Sequence, residues 1–272
     1  MKKLILILLC LPMIFSCRDE KNKIENDLSK ENIIGNPKEI KEYRYSAKEL
    51  FGEAQKEKLL HENIVRFNSE GNITEFIRNN SQSYKTYYNE ITKQKEKTHI
   101  YDGEELVGLK KYKYDENGNQ IEESSYSNGK LVGLEKYKYD ENGNQIEKSS
   151  YSDGELDRRS FKYKYDENGN QIEKSSYSDG ELDRRSFKYK YDENGNQIEK
   201  GSYFEGKLER FYKYKYDENG NKIETNKFYS DGELGYSKKK KYSYLKNKNW
   251  IKYIEYNEQN NPTYIIEREF IY

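Results

Sequence analysis

The chain is short of the residues that usually build catalytic or metal centres. Its 272 residues include only two histidines, one tryptophan, two cysteines and three prolines. His61 and His99 have no cysteine or second histidine at ligand spacing, so we interpret both as ordinary strand residues rather than zinc ligands or catalysts. Glycine-rich phosphate loops, nucleophile elbows and zinc-binding helix motifs are also missing from the sequence. We therefore predict no metal, no cofactor and no enzyme activity.

An excess of charge of one sign is lacking as well. Lysine plus arginine and aspartate plus glutamate both number 49, which leaves a formal net charge of zero. Without a global field to attract a polyanion, no nucleic-acid partner is predicted. Charged residues make up 36% of the chain, but 29 tyrosines bring the aromatic content to 15%. This aromatic content argues against disorder, and tyrosine must supply most of the burial.

Long hydrophobic runs are limited to the 12 residues from Leu4 to Phe15, which follow two lysines. A helix needs about 20 residues to cross a bilayer, so residues 1–16 are predicted to be a signal peptide. Residues 14–17 (IFSC) resemble the lipobox of bacterial lipoproteins. The resemblance implies that Cys17 is acylated and anchors the protein to a membrane, so that no disulfide forms. A cleaved secretory signal with an incidental cysteine is the alternative.

The segment after Cys17 is charged and nearly free of large apolar groups. We therefore predict a flexible tether over residues 17–35. Its acidic residues beside Arg18 resemble the export tags of surface lipoproteins in some diderm bacteria. That resemblance implies an outer-membrane protein exposed at the cell surface, whereas a plain solvated linker is the alternative.

The rest of the chain is organised around a repeat. Lys136–Lys174 recurs without a change at Lys162–Lys200, which is a shift of 26 residues. Periods in this range indicate a repeat architecture whose units need their neighbours. The core Tyr-Asp-Glu-Asn-Gly-Asn begins at Tyr114, Tyr139, Tyr165, Tyr191 and Tyr216. Degenerate copies lie at Phe67 and near Tyr244.

Each unit carries two turn signals. In Asp-Glu-Asn-Gly-Asn the glycine is predicted to take the left-handed conformation of a hairpin loop, at Gly118, Gly143, Gly169, Gly195 and Gly220. Asn-Gly and Asp-Gly dipeptides predict the opposite turns, at Gly129, Gly154 and Gly180. Weak calcium binding by stacked Asp166–Asn170 turns is an alternative, although the glycine is fourth rather than sixth as in an EF-hand.

Between the turns, one strand of each unit alternates aromatic residues with lysines. This alternation predicts an aromatic ladder on one face and a lysine comb, opposed by glutamates such as Glu173, on the other. The ladder comprises Tyr114, Tyr139, Phe161, Tyr163, Tyr165, Tyr189, Tyr191, Tyr214 and Tyr216. The register of the partner strand stays open, because Ile172 and Tyr177 are five apart and a bulge would change their faces.

These signals predict an all-β fold, an open, twisted antiparallel β-meander of about 14 to 16 strands in a single-layer or curled sheet. Past the signal, only Pro37 and Pro262 remain, both outside the array. We divide the mature chain into irregular hairpins over residues 36–101, the repeats over residues 102–243 and a capping hairpin over residues 244–272.

The repeated Tyr-Asp-x-x-Gly resembles the YD repeats of bacterial Rhs-type surface and toxin proteins over residues 102–243. The resemblance implies hairpin geometry with structural roles for the tyrosine and glycine. Asparagine follows the glycine where that family has arginine, and no autoproteolytic core is seen. The composition is also similar to that of outer-surface lipoproteins with a free-standing single-layer sheet.

The favoured function is a non-enzymatic, lipid-anchored repeat protein of the cell envelope that serves as a structural or adhesive interaction surface. The alternative is a carbohydrate-binding envelope module that uses the tyrosine face. A hydrolase with a site in residues 35–98 is the third hypothesis. The expected partners are the membrane and a protein or glycan ligand, and the chain is expected to be a monomer.

Overall fold

A computed structural model describes residues 26–152, 155–178 and 181–272, which form one short helix and an 18-stranded sheet. Helix α1 covers Asp27–Lys30. Among these residues, no helix has the length and apolar character needed to cross a bilayer. The strands are β1 Glu39–Leu50, β2 Glu53–Phe67, β3 Ile73–Arg78, β4 Gln82–Tyr88, β5 Lys95–Asp102, β6 Glu105–Tyr114, β7 Gln120–Ser127, β8 Lys130–Tyr139, β9 Gln145–Ser152, β10 Glu155–Tyr165, β11 Gln171–Ser178, β12 Glu181–Tyr191, β13 Gln197–Phe204, β14 Lys207–Tyr216, β15 Lys222–Tyr229, β16 Leu234–Tyr244, β17 Trp250–Tyr256 and β18 Pro262–Ile271.

The sheet closes into a barrel. Each strand pairs antiparallel with the next, and β1 also pairs with β18 in a register that runs from Glu39 opposite Ile271 to Ser46 opposite Tyr264. The predicted open or curled meander of about 14 to 16 strands is therefore wrong. Closure satisfies the backbone N–H and C=O groups that two free edges would have left unpaired.

Three of the four fully buried apolar side chains of the described residues lie on the strands of this closing seam, and Leu28 lies in α1 beside Gly71. Among the described residues the four are Leu28, Ile40, Ile265 and Ile266, each at most 4% exposed. Ile40 and Ile265 belong to the paired strands β1 and β18. The residues predicted to form a capping hairpin do form β17 and β18, but β18 joins β1 instead of covering an edge.

A β-bulge recurs beside every Asp-Glu-Asn-Gly-Asn turn. In the third repeat, Lys164 pairs with Glu173 and Tyr165 pairs with Gln171, so Ile172 is the extra residue. The same shift follows Lys113, Lys138, Lys190 and Lys215. The bulge settles the register that the sequence left open, and it places Lys174 directly opposite Tyr163.

The barrel has two chemically distinct faces, which we name for one repeat. The tyrosine face carries Phe161, Tyr163 and Tyr165, which are half-buried, and the lysine face carries Lys162 and Lys164, which are exposed. The ladder residues of all five repeats lie on the tyrosine face, because strand side chains alternate and the pairing register is the same in each repeat.

The tyrosine face lines the inside of the barrel. Residues 31–34, which line a cavity with Trp250, Arg268 and Phe270 of the tyrosine face, belong to the short segment that precedes β1. In this segment the N–H of Leu28 donates to the carbonyl oxygen of Gly71 between β2 and β3, and Asn32 Nδ2 lies beside Gly220 between β14 and β15, although about six strand spacings of about 4.8 Å separate these two turns. So short a segment reaches both turns only across a concave surface. We therefore place the tyrosine face inside and the lysine face outside.

The chain enters the barrel through a segment that packs on the tyrosine face. The backbone N–H of Leu28 donates to the carbonyl oxygen of Gly71 at 3.1 Å, and that of Ile34 donates to Asn249 Oδ1 at 2.8 Å. The segment thus links the turn before β3 to the turn before β17. Residues 26–35 belong to the flexible tether predicted over residues 17–35, but Leu28 and Ile34 are hydrogen-bonded through their backbone to two turns at the rim.

Candidate functional site

The predicted ladder tyrosines hold neighbouring hairpins together through their hydroxyl groups. From the second motif onward, the Tyr of Tyr-Asp-Glu-Asn-Gly donates to the carbonyl oxygen of the residue that follows the previous Asp-Glu-Asn-Gly-Asn turn. The pairs are Tyr139 with Gln120 at 2.8 Å, Tyr165 with Gln145 at 2.7 Å, Tyr191 with Gln171 at 2.8 Å and Tyr216 with Gln197 at 2.8 Å. These rings and hydroxyls are part of the wall of the barrel as well as its inner surface.

The predicted turn glycines lie where only glycine is unstrained. Gly118, Gly143, Gly169, Gly195 and Gly220 have φ of 77–86°. Their turns are fixed by the aspartate: Asp166 Oδ1 accepts from the backbone N–H of Asn168 at 3.0 Å and of Asn170 at 2.8 Å, while Oδ2 accepts from Asn170 Nδ2. These hydrogen bonds, that of the Asn170 side chain first, lower the pKa of Asp166.

The other predicted sites are only partly visible. Asn128 and Gly129 have φ of 48° and 77°, as a two-residue hairpin turn requires. Gly154, Gly180 and the predicted lipidation site Cys17 lie outside the described residues.

The two histidines do not form a site together. His61 Nδ1 lies 3.5 Å from Asn79 Nδ2, and His99 Nδ1 lies 3.3 Å from the Tyr101 hydroxyl. Burial, and then the nearby Lys97, lowers the pKa of His99. Within the described ranges, no group of three His, Cys, Asp or Glu side chains could hold a metal ion.

Lysines of the outer face are paired with glutamates in rows. One Lys–Glu pair recurs in each repeat with an N–O distance of 2.7–3.2 Å and a lysine side chain 66–69% exposed. The pairs are Lys113–Glu122, Lys138–Glu147, Lys164–Glu173, Lys190–Glu199 and Lys215–Glu224. This arrangement makes the outside charged but locally neutral.

Lysines of the inner face are held differently. Lys174 lies 4.0 Å from the centre of the Phe161 ring, Lys200 lies 4.9 Å from that of Phe187, and Lys222 lies 3.8 Å from that of Tyr214. No acidic side chain of the described residues forms an ion pair with any of the three. We call Lys174, Lys200 and Lys222 the inner lysines.

The inner lysines also repel one another. Burial, and then the charges of Lys148 and Lys200, lowers the pKa of Lys174. Burial, and then Lys240 and Lys200, lowers the pKa of Lys222. By contrast, the glutamate partners raise the pKa of the outer lysines Lys113 and Lys190. The part of the inner face around the inner lysines therefore carries positive charge that no acidic side chain of the described residues neutralises, among aromatic rings.

The inner lysines could not be predicted from sequence because their face depends on the bulge. Alternation within β11 shows that Lys174 and Ile172 lie on the same side of that strand, but it does not show which side this is relative to Tyr165 across the turn. The recurring bulge at Ile172 sets that relation. A lysine four residues after the turn asparagine in two consecutive identical units was the available signal.

A separate cavity of about 360 Å³ lies at the rim, where the entering segment meets the barrel. Its lining includes Trp250, Arg268, Asn219 and Asn249. The Arg268 guanidinium stacks 3.7 Å from the centre of the Trp250 ring, and Asn219 Oδ1 is buried without a hydrogen-bond partner among the described residues. The only tryptophan is thus covered by Arg268 on one side.

Comparisons with known proteins find weak likenesses to solved structures and no related family. No protein-family model and no curated protein matches this chain. The crystal structure of TcdB2-TccC3 is 14% identical at a TM-score of 0.39 and covers 70% of this chain, which spans 10% of that one. A porin-like protein from Bacteroides uniformis ATCC 8492 is 9% identical at a TM-score of 0.48 and covers 86% of this chain and 96% of its own.

A second porin-like protein, from Bacteroides vulgatus ATCC 8482, is 11% identical at a TM-score of 0.33 and covers 86% of this chain and 98% of its own. All three TM-scores are below 0.5, so these likenesses carry no argument about the fold or the activity of this chain. The lipobox and YD-repeat resemblances remain predictions.

Proposed function

We propose that this protein is a non-enzymatic repeat barrel of the cell envelope, anchored through lipid on Cys17 and acting as a monomeric interaction surface. The observation that carries the proposal is the difference between its faces. Lys–Glu pairs repeat around the outside with the same spacing in five consecutive units. A surface of identical ionic patches suits multivalent contact with a polar partner, because each further contact becomes intramolecular.

The charged outside also bears on how the barrel meets the membrane. Barrels that span a bilayer present an apolar band to lipid, and a lysine in that band is costly. Here Lys138, Lys164 and Lys190 are each 68–69% exposed on the outer face. This supports a barrel that stands in water and is attached by its acylated N-terminus.

Location and anchoring are tested together. Mass spectrometry of the purified protein is expected to find acyl chains on Cys17, and a Cys17→Ala variant is expected to leave the membrane fraction. Protease treatment of intact cells should remove the repeat if the barrel is outside. An unacylated Cys17 would contradict the lipid anchor. Full protection of the repeat from protease would place the barrel in the periplasm.

A second candidate is carbohydrate binding by the tyrosine face. It is favoured by the aromatic rings that line the inside, with Tyr212 and Tyr214 stacked at 6.4 Å between ring centres. Flat aromatic surfaces can stack on sugar rings, and burial raises the pKa of Tyr163 and Tyr214 to about 12, so both hydroxyls stay protonated and able to donate hydrogen bonds.

One pair of variants separates the candidates. A glycan array is compared for the wild type, for Tyr163→Ala/Tyr189→Ala/Tyr214→Ala on the inner face and for Tyr126→Ala/Tyr177→Ala/Tyr203→Ala on the outer face. Loss confined to the inner-face variant supports glycan binding, and no binding by the wild type ends that candidate. Adhesion of cells is measured in parallel with Lys138→Gln/Lys164→Gln/Lys190→Gln, which should weaken an adhesive outer surface.

A further inference from the structure

We propose that the inner lysines bind a linear anionic polysaccharide, with their neighbouring aromatic rings stacking on its sugars. This inference rests on the second candidate above, glycan binding by the tyrosine face, and it adds the charge of the ligand. Three features of the inner face carry it: the lack of acidic partners among the described residues, the arrangement of the inner lysines and the contrast with the outer face.

The first feature is uncompensated charge. Lys148, in the preceding repeat, is neutralised by Glu135 at 2.6 Å. The equivalent position to Glu135 is Phe161 in the next repeat and Phe187 in the one after. In the repeats that contain Lys174 and Lys200, an aromatic ring therefore occupies the position of the acid. A cation whose partner is missing gains most from a bound carboxylate or phosphate.

The second feature is a periodic arrangement. Lys174 lies opposite Tyr163, and Lys200 lies opposite Tyr189, at the same level of two consecutive repeats. Two strand spacings separate them, which is about 10 Å. Lys222 belongs to the following repeat but lies nearer the turn, opposite Tyr216, and Thr225 occupies the level of Lys174 and Lys200. Three cations in three consecutive repeats, each beside an aromatic ring, fit a polymer of charged sugars better than a single small ion.

The third feature is the contrast between faces. The outer lysines Lys164, Lys190 and Lys215 are in the same repeats, but each is paired with a glutamate. An anion approaching the outside would have to displace that glutamate, whereas the inner lysines are available. Burial, and then repulsion by neighbouring lysines, lowers the pKa of Lys174 and Lys222, and an anion bound between them would relieve the repulsion.

The test compares two triple variants that remove the same charge. Full-length wild type, Lys174→Gln/Lys200→Gln/Lys222→Gln and Lys164→Gln/Lys190→Gln/Lys215→Gln are titrated with polygalacturonate, neutral dextran and single-stranded DNA. We expect the wild type to bind polygalacturonate, the inner variant to bind it at least ten-fold more weakly and the outer variant to be unchanged. Added salt should weaken binding by the wild type.

Each result decides the question. Absence of polygalacturonate binding by the wild type, an equal loss in both variants or a preference for DNA would overturn the proposal. Dextran bound as well as polygalacturonate would leave the glycan candidate standing and remove the charge requirement. Binding of neither polysaccharide would overturn the charge proposal, while the glycan array separately decides whether the glycan candidate stands.

A readout without ligand guards against a folding defect. Lys174→Gln removes a repelled charge and should raise the urea midpoint, while Lys164→Gln breaks a pair with Glu173 and should lower it or leave it unchanged. A lowered midpoint for Lys174→Gln would show that Lys174 stabilises the wall, against the proposal.

Discussion

The hydroxyl of Tyr165 donates to the carbonyl oxygen of Gln145 at 2.7 Å, and the same bond joins each repeat to the one before it. The donor is contributed by one hairpin and the acceptor by its neighbour. Because the acceptor is a backbone atom, the contact does not depend on the side chain at position 145. It explains why the repeat carries tyrosine rather than phenylalanine at this position.

We expect Tyr165→Phe to lower the free energy of unfolding by about 1 kcal/mol, since it removes one hydrogen bond to a half-buried carbonyl. Urea denaturation of the wild type and the variant measures the change. Tyr177→Phe is the control, because Tyr177 lies on the outer face and its hydroxyl has no hydrogen-bond partner among the described residues. If both variants lowered the free energy of unfolding equally, the hydrogen bond between repeats would not be the cause of the change.

Gly169→Ala should destabilise the barrel by about 1–2 kcal/mol, because an L-residue is strained at φ of +81°. The added Cβ itself meets only Asn144 Oδ1 at 3.6 Å, which is ordinary contact. Gly133→Ala is the matched control, since Gly133 lies in β8 without a positive φ and its added Cβ would lie 3.9 Å from Ser125 Cβ. It is expected to leave stability unchanged or raised by about 0.4–1 kcal/mol. Thermal unfolding of both variants checks the sign.

Stability should fall as the solution becomes acidic. The pKa values of Asp115, Asp140, Asp166 and Asp192 are lowered, first by the side-chain hydrogen bond from the asparagine at the end of each turn. A group with a lowered folded-state pKa stabilises the fold above its ordinary value of 3.8 and loses that contribution as the pH falls through the lowered value. Urea midpoints between pH 6 and pH 2.5 test this.

Two sets of variants remove four negative charges from the same turns, one as the test and one as the control. In the test, replacing the four aspartates by asparagine should lower the urea midpoint at pH 6 and leave it equal to that of the wild type near pH 2.5. Replacing the exposed Glu116, Glu141, Glu167 and Glu193 by glutamine should shift stability little at either pH. If the glutamate set flattened the pH dependence as much as the aspartate set, the turn hydrogen bonds would not be its cause.

Closure of the barrel predicts a specific cross-link. With Cys10 and Cys17 changed to serine, Lys41→Cys and Glu269→Cys are expected to be joined by a short thiol-reactive cross-linker, since residues 41 and 269 are paired at the β1–β18 seam. Lys41→Cys with Lys164→Cys is the control, because β1 and β10 lie nine strands apart around the ring. If monomeric protein did not cross-link at positions 41 and 269, closure of the barrel would be contradicted and the open sheet would be favoured.

The hairpins and the difference between faces were predictable because their signals are local. The Asp-Glu-Asn-Gly-Asn turn and the alternation of Tyr163 with Lys164 lie within a few residues of each other. Closure was not predictable, since the seam brings Ile40 opposite Phe270 and Tyr45 opposite Ile265 across almost the whole length of the chain, and none of these residues belongs to a repeat. Their pairing depends on the total number of strands and their tilt, and no short motif encodes it.

The inner lysines show a second limit of sequence reasoning. Lys164 and Lys174 are the same residue type, ten positions apart, in the same repeat. They lie on opposite faces because one extra residue, Ile172, interrupts the pairing. A bulge changes which side of the wall a residue reaches without leaving a distinctive residue behind.

The exact duplication has a geometric consequence once the sheet is a ring. One 26-residue unit brings two strands, so gain or loss of a unit keeps the strand count even and leaves β1 and β18 antiparallel partners. A unit gained or lost changes the circumference by about 10 Å and the diameter by about 3 Å. Gain or loss of a unit by recombination between Lys136–Lys174 and its copy would therefore change the diameter of the barrel in fixed steps and keep the number of strands even.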